Sequence, residues 1–375
     1  MNDCPMSAPI CDTGSCRGCA IDSECASNIC DVDTGTCVAD TSVRYADPNG
    51  QVANDCSSAA PCTLAKALSI IDIQHPWLRM LPGVYANASI TIGNESIRIV
   101  GTGATLIPPT GTQNTGVVLT TGANASIRGL VVGSAGNLVQ AFQCAPPSGT
   151  ANVVLRNVSG LTAGAAALVV ALDVEKLCTA KIEESNFVGL VQFADGSSSV
   201  VDRSRFSGSW TVSGTSSLQL QVSNTTFVEP TLAPSLSSTA PPGSFKLYFA
   251  YNTFYSTDTS FAAFCGANGP AGTNLTFIDN IFYAPSSMNA FSATSGCTAD
   301  TNVVYPHASA ANPGSNPITL DPKLVDAANG DFHLQPSSPA IDMAKPTAND
   351  PPVDIDGTTR PQGAAYDIGA YEYKP

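Results

Sequence analysis

Basic side chains are scarce in this chain: 16 Lys and Arg stand against 30 Asp and Glu in 375 residues, a formal net charge of −14. That balance repels nucleic acid and anionic lipid, so neither is an expected partner. It also disfavours a long polyuronate, unless calcium intervenes or the few bases gather in one groove. Long apolar runs are missing too, with no stretch of about 18 residues, which excludes a membrane-spanning helix. Hairpin dipeptides are few for 375 residues, Asn-Gly occurring as Asn49-Gly50, Asn268-Gly269 and Asn329-Gly330. An antiparallel sandwich, with turns about every 8 to 12 residues, would show more of them. Met1-Asn2-Asp3-Cys4 lacks the basic region and apolar stretch of a secretory signal.

What is present is a repeat. Apolar residues five positions apart recur as Val153/Val158, Ile182/Phe187, Val201/Phe206, Val222/Phe227, Phe249/Phe254 and Phe277/Phe282, with closing residues at intervals of 19 to 29. Turn formers fill the gaps, as in Glu184-Ser185-Asn186 and Tyr251-Asn252-Thr253. Ahead of each turn apolar and polar residues alternate, as in Leu218-Gln219-Leu220-Gln221-Val222, the period of a strand with one buried face. A strand, a tight turn, a shorter strand and a variable loop per unit describe an all-β, right-handed parallel β-helix. Asn suits such a turn because it tolerates left-handed backbone angles and bonds local backbone groups. Leu64, Ala67, Leu68 and Ile71 have helical spacing and predict a short helix covering the open end of the first coil. Ile97-Arg98-Ile99 and Ile127-Arg128-Gly129-Leu130 are read as the first two coils.

Seven of the thirteen cysteines, Cys4, Cys11, Cys16, Cys19, Cys25, Cys30 and Cys37, lie in the first 37 residues, with few large apolar residues among them. Such a segment needs disulfides to fold. Zinc is the competing reading, through Cys16-Arg17-Gly18-Cys19, but a second C-x2-C and a nearby His are lacking. The other six are expected to pair as Cys56 with Cys62, Cys144 with Cys178 and Cys265 with Cys297. Thirteen is odd, so one thiol is left over. The cysteines imply an oxidising compartment, extracellular or on the outer cell surface, with Met1 standing where a removed export signal ended. The domains read as a Cys-rich module over 1–40, the β-helix over 41–305 and a C-terminal capping segment over 306–375.

Residues 43 to 130, with Tyr45-Ala46-Asp47-Pro48-Asn49-Gly50, Pro61-Cys62-Thr63-Leu64-Ala65-Lys66-Ala67-Leu68 and Leu81-Pro82-Gly83-Val84-Tyr85, resemble the opening of bacterial extracellular β-helix proteins of the pectin-lyase-like superfamily. Asp321-Pro322-Lys323-Leu324, Gly330-Asp331-Phe332-His333-Leu334, Ser338-Pro339-Ala340-Ile341-Asp342 and Asp367-Ile368-Gly369-Ala370-Tyr371-Glu372 are similar to a segment that often follows such helices in bacterial surface proteins. The cysteine segment is similar to N-termini of myxobacterial surface proteins. The resemblance implies architecture and leaves chemistry open, since the superfamily holds lyases, hydrolases, adhesins and proteins without known activity. Its pectin-hydrolysing members carry clustered Asp with Gly-His-Gly and Arg-Ile-Lys; His75, His307 and His333 match none of these.

Candidate chemistry lies on the outward face. Glu183 and Asp202 occupy equivalent positions on adjacent coils, about 4.8 Å apart by strand spacing, which suits a retaining pair of carboxylates. A lyase would use Lys181, Arg203 or Arg205 as base. The competing reading is a solvated ladder of mixed charge. For binding without turnover, one outward row runs Lys181, Val200, Gln221, Tyr248, Thr276, and the next Thr179, Ser198, Gln219, Lys246, Asn274. An aromatic ring among amides, hydroxyls and an ammonium suits a polysaccharide or cell-surface glycan, and an ordinary polar surface is the competing reading. Trp77 and Trp210 are further candidate platforms, with packing in the entry region the favoured reading for Trp77. Asp354 and Asp356 before Gly357 suggest calcium, with no other cofactor implied; the favoured role is structural, Asp356 and Asp367 pairing with Arg360 to fix the segment against the last coil. The Pro/Ser-rich residues 231–244 form a projecting loop where recognition is expected. Together these features point to an exported rigid scaffold or adhesin contacting polysaccharide, with a polysaccharide lyase or glycoside hydrolase as the alternative.

Overall fold

The computed structural model describes residues 4–5, 8–109, 114–133, 139–161, 170–194, 196–213, 217–228, 245–259, 263–265, 274–293, 297–347 and 350–375. Residues 231–244 therefore lie outside the described residues, as do the side chains of Trp210, Cys265 and Asn274. Among those described, three long sheets dominate, of eleven, ten and six strands, and every neighbouring pair in them is parallel. The chain is a parallel β-helix. All twelve residues of the six apolar pairs are buried. Ile182, Val201, Val222, Phe249 and Phe277 stand in register on the eleven-stranded sheet. Phe187, Phe206, Phe227, Phe254 and Phe282 do so on the ten-stranded one. Ring centroids are 4.5 Å apart for Phe227–Phe254 and 4.8 Å for Phe254–Phe282, both stacked. Each such pair adds roughly 0.5–1.5 kcal/mol beyond its burial.

Two details depart from the expected register. Ile182 and Phe187 sit beside Leu155 and Gly160, so Leu155/Gly160 is the unit and Val153/Val158 is two positions out of phase. A Cβ on Gly160 would lie 2.8 Å from Phe187 Cδ1, so the ring of one coil fills the space that the preceding coil leaves vacant. The coils also begin earlier than expected. Val43–Ala46 and Trp77–Met80 are the first two rungs of the eleven-stranded sheet, ahead of Ser96–Val100 and Asn124–Arg128. The predicted helix is present as Leu64–Ser69, with Thr63 at its N-cap accepting from Lys66 N; Leu64 and Ala67 are buried against the core.

The turn between the eleven- and ten-stranded sheets has one left-handed residue per coil: Asn157, Glu184, Arg203, Asn224, Tyr251, Asp279 and Thr301, φ between 46° and 57°. Most are not Asn. The asparagines Asn252, Asn280 and Asn302 instead follow the left-handed residue, with no exposure, and build a ladder. Each accepts from a backbone amide of the preceding coil, Thr225 N to Asn252 Oδ1, Asn252 N to Asn280 Oδ1 and Asn280 N to Asn302 Oδ1, at 2.9–3.0 Å. Their Nδ2 groups donate to Val222, Phe249 and Phe277 carbonyls. Ser185, Ser204 and Thr225 hold the same place in earlier coils, accepting from Val158 N, Ser185 N and Ser204 N. The ladder satisfies amides that a turn would otherwise bury without partners.

The N-terminal residues carry disulfides Cys4–Cys16, Cys19–Cys30 and Cys25–Cys37, so Cys16 and Cys19 belong to different bridges, which removes the zinc reading. Cys11 Sγ lies 2.8 Å from Cys4 Sγ. Cys56–Cys62 and Cys144–Cys178 pair as expected. Cys297 is disulfide-bonded; the expected partner, Cys265, has its side chain outside the described set.

The C-terminal residues build a second core on the flank of the coils. Leu324, Phe332, Leu334, Ala340 and Ile368 pack on Tyr251, Tyr255, Ile281 and Val303. Arg360 is fully buried, but its partners differ from those expected. It donates to Glu372 Oε2 at 3.0 Å, to Asn224 Oδ1 and to the Asp367 and Gly369 carbonyls. Asp356 instead meets His333 Nε2 at 2.8 Å. The segment is fastened to several coils, through Arg205, Asn224, Asp279 and Asp300, rather than to the last alone.

Candidate functional site

The outward residues of the eleven-stranded sheet form three rows. Register places Ser96, Asn124, Asn152, Thr179, Ser198, Gln219, Lys246 and Asn274 in one. The first seven are exposed. The next row is Trp77, Arg98, Ser126, Val154, Lys181, Val200, Gln221, Tyr248 and Thr276. Arg98 lies over the Trp77 ring at 5.0 Å, so that ring is a packing partner at the first coils. Tyr248 is half-buried: C-terminal residues cover it, and its hydroxyl bonds Thr347. A tyrosine expected to offer an open platform is thus under the flank segment, whereas Gln219 and Lys246 are exposed and Gln221 is partly so.

The third row, at the strand ends, runs Arg79, Val100, Arg128, Arg156, Glu183, Asp202 and Ser223. Glu183 and Asp202 are register partners, and each is engaged by neighbouring side chains. Glu183 is buried, 2.7 Å from Arg156 Nη2 and 2.8 Å from Lys181 Nζ. Burial opposes its charge, and the bonds from Lys181 and Arg156 outweigh it, holding the carboxyl below its usual range. A carboxyl shifted in that direction is the opposite of what a general acid requires. Asp202 accepts from Arg203 Nε, Ser223 Oγ and Asn224 Nδ2. Lys181 and Arg203 are spent on these carboxylates and on Glu184, and Arg205 lies over Phe332 at 5.7 Å. None of the three stands as a free base.

The acidic C-terminal residues serve the backbone. Asp354 accepts from Asp356 N and Thr358 N on one oxygen and Glu372 N on the other. Asp356 turns to His333.

Sequence reasoning missed the arginines of the third row. Arg128 and Arg156 close strands one coil apart, and the phase shared by Ile127-Arg128-Gly129 and Leu155-Arg156-Asn157 could have revealed them, whereas Arg79 stands one position before the end of its strand and two coils before Arg128. The Cys-rich residues dock on this row and its neighbour: Asp22 meets Arg128 at 2.7 Å and Asp33 meets Arg156 at 3.0 Å on the third row, and Asp31 meets Arg98 of the second at 2.9 Å. Between them lies a cleft of about 770 Å³ lined by Arg79, Arg128, Arg156 and Arg203.

On the six-stranded sheet, Asp173 is buried and accepts from Gln140 and Gln143. Burial, reinforced by Glu175, pushes its carboxyl up to about 6.

No family model matches the sequence, and no curated protein does. Among solved structures, the chain is similar to the crystal structure of pectate lyase Pel9A, with a TM-score of 0.56 at 14% identity, covering 90% of this chain and 100% of that one. At that identity the likeness establishes architecture, and the chain has the pectin-lyase-like parallel β-helix fold.

Proposed function

We propose that this chain is an exported, rigid β-helix whose eleven-stranded sheet contacts a linear polysaccharide without cleaving it. The carrying observation is the exposed row Ser96, Asn124, Asn152, Thr179, Ser198, Gln219 and Lys246, hydroxyls, amides and one ammonium repeating once per coil on an inflexible face. Strands about 4.8 Å apart present donors and acceptors in an axial repeat, which a polymer of sugars can match along its own axis. The five described disulfides fit an oxidising compartment outside the cell. Neutralisation of Glu183 and Asp202 supports contact without turnover. A panel of neutral and uronate polysaccharides, read by affinity electrophoresis and by assay for reducing ends and unsaturated products, tests this. Retardation without products is expected, weakened about tenfold by Gln219→Ala with Lys246→Ala, the loss of two hydrogen-bonding partners. Release of products would overturn it.

The second reading is hydrolysis with Asp173 as the acid: burial beside Glu175 pushes its carboxyl up, the direction that a general acid requires. If products do appear, Asp173→Asn should abolish them, while Glu183→Gln should not.

A further inference from the structure

We propose that the cleft between the disulfide-bonded N-terminal residues and the corner of the eleven-stranded sheet binds an oxyanion, the carboxylate or sulfate of an acidic sugar, on Arg79. Arg79 projects from the second rung, is only 8% exposed and lines the cleft. Its Nε and Nη1 are buried without a hydrogen-bond partner. The other three arginines of the cleft are matched: Arg128 with Asp22, Arg156 with Asp33 and Glu183, Arg203 with Glu184 and Asp202. Arg79 alone retains an uncompensated charge among the lining cations. Burial, opposed by Asp22 and reinforced by Arg128, weakens its hold on its proton, the direction expected of a cation lacking a close counter-charge.

An isolated buried guanidinium is costly, and a bidentate oxyanion is its natural complement. The space is far larger than an inorganic anion needs and lies within the range of small-molecule sites. Asn28, Ser23, Asn157 and Thr102 line it as neutral hydrogen-bonding groups, and Ile21 at 58% exposure offers an apolar edge, the mixture that a sugar ring presents in return. The sugar rests on the glycan reading above; the oxyanion does not. Four of the sixteen cations line the cleft against three carboxylates, Asp22, Asp33 and Glu184, a local balance opposite in sign to the chain's −14 and the condition under which an acidic glycan can be held.

Calorimetry with sodium glucuronate, glucose 6-sulfate, glucose and inorganic sulfate on the full chain tests the proposal. The two acidic sugars should bind, glucose should bind at least tenfold more weakly, and raising salt should weaken only the acidic pair. Arg79→Met should reduce glucuronate affinity at least tenfold. Asp22→Asn, which removes a competing carboxylate, should tighten it severalfold and covers the case in which Arg79→Met fails to fold. Glucuronate binding unaltered by Arg79→Met, or weakened by Asp22→Asn, overturns the site. Inorganic sulfate binding as tightly as the sugar acids overturns its assignment to a glycan. Retention of glucuronate binding in the Gln219→Ala, Lys246→Ala double variant that has lost the polymer separates this site from the exposed row.

Discussion

Asp279 shows how a single residue sets the pH response. It is left-handed at φ 55°, buried, and uses one oxygen to accept from Lys345 N while the other has no partner. Burial pushes the carboxyl up to about 7. In the unfolded chain it ionises near 3.9. The folded state therefore binds the extra proton, and this contribution to stability is complete below about pH 4 and lost as pH rises through about 7. Asp279→Asn should flatten the fall in thermal midpoint across that window and raise stability at neutral pH by about 1–3 kcal/mol, the cost of one unsatisfied buried group. A variant that keeps the wild-type slope contradicts this origin. At the same scale, Gly160 explains one misjudged register: a glycine where its neighbours have Phe carries no hydrophobic signal, although space for the Phe187 ring is the reason for it.

Among the elements, the asparagine ladder distinguishes local from non-local legibility. The strand period and the closing Phe residues are local patterns, and they located the coils from Ile182 onward residue by residue. Asn in the turns was visible too, but its place was not, because Asn252, Asn280 and Asn302 act across coils at separations of 22 to 28 residues. Asn280→Ala removes two partners at once, stranding Asn252 N and the Phe249 carbonyl in a dry interior. It should cost about 2–4 kcal/mol in chemical denaturation, from roughly 1–3 kcal/mol per stranded group with partial relaxation. Asn157→Ala, at a left-handed turn position exposed to solvent, serves as the comparison and should cost less. Equal costs would mean that the ladder is no more than turn chemistry.

For the whole molecule, the two ends differ in what holds them. The N-terminal module has three disulfides and a small buried cluster of cysteines, so its order depends on covalent cross-links. The coils have a continuous apolar interior. Mild reduction should therefore release the module, seen as faster amide exchange of its backbone, while the cooperative unfolding of the coils persists. Loss of both together would show that the module is integral to the stack. The sequence shows Arg360 as an anchor of the C-terminal segment but not the partners of the docking, because Arg156–Asp33 and Arg360–Asn224 join residues 123 and 136 apart and leave no trace in either neighbourhood. The candidate site suffered the same way: its arginines are ordinary strand ends until register aligns them.

The C-terminal strip along the flank has a mechanical consequence. In a solenoid where each rung touches only its neighbours, thermal fraying starts at an end and travels inward one rung at a time. Stitches at Arg205, Asn224, Asp279 and Asp300 make the strip a splint across those rungs. One rung cannot open there without peeling the splint from the others. The rod is therefore stiffest toward its C-terminal half, and a load drawn along its axis would be shared across that half instead of concentrating at the last turn.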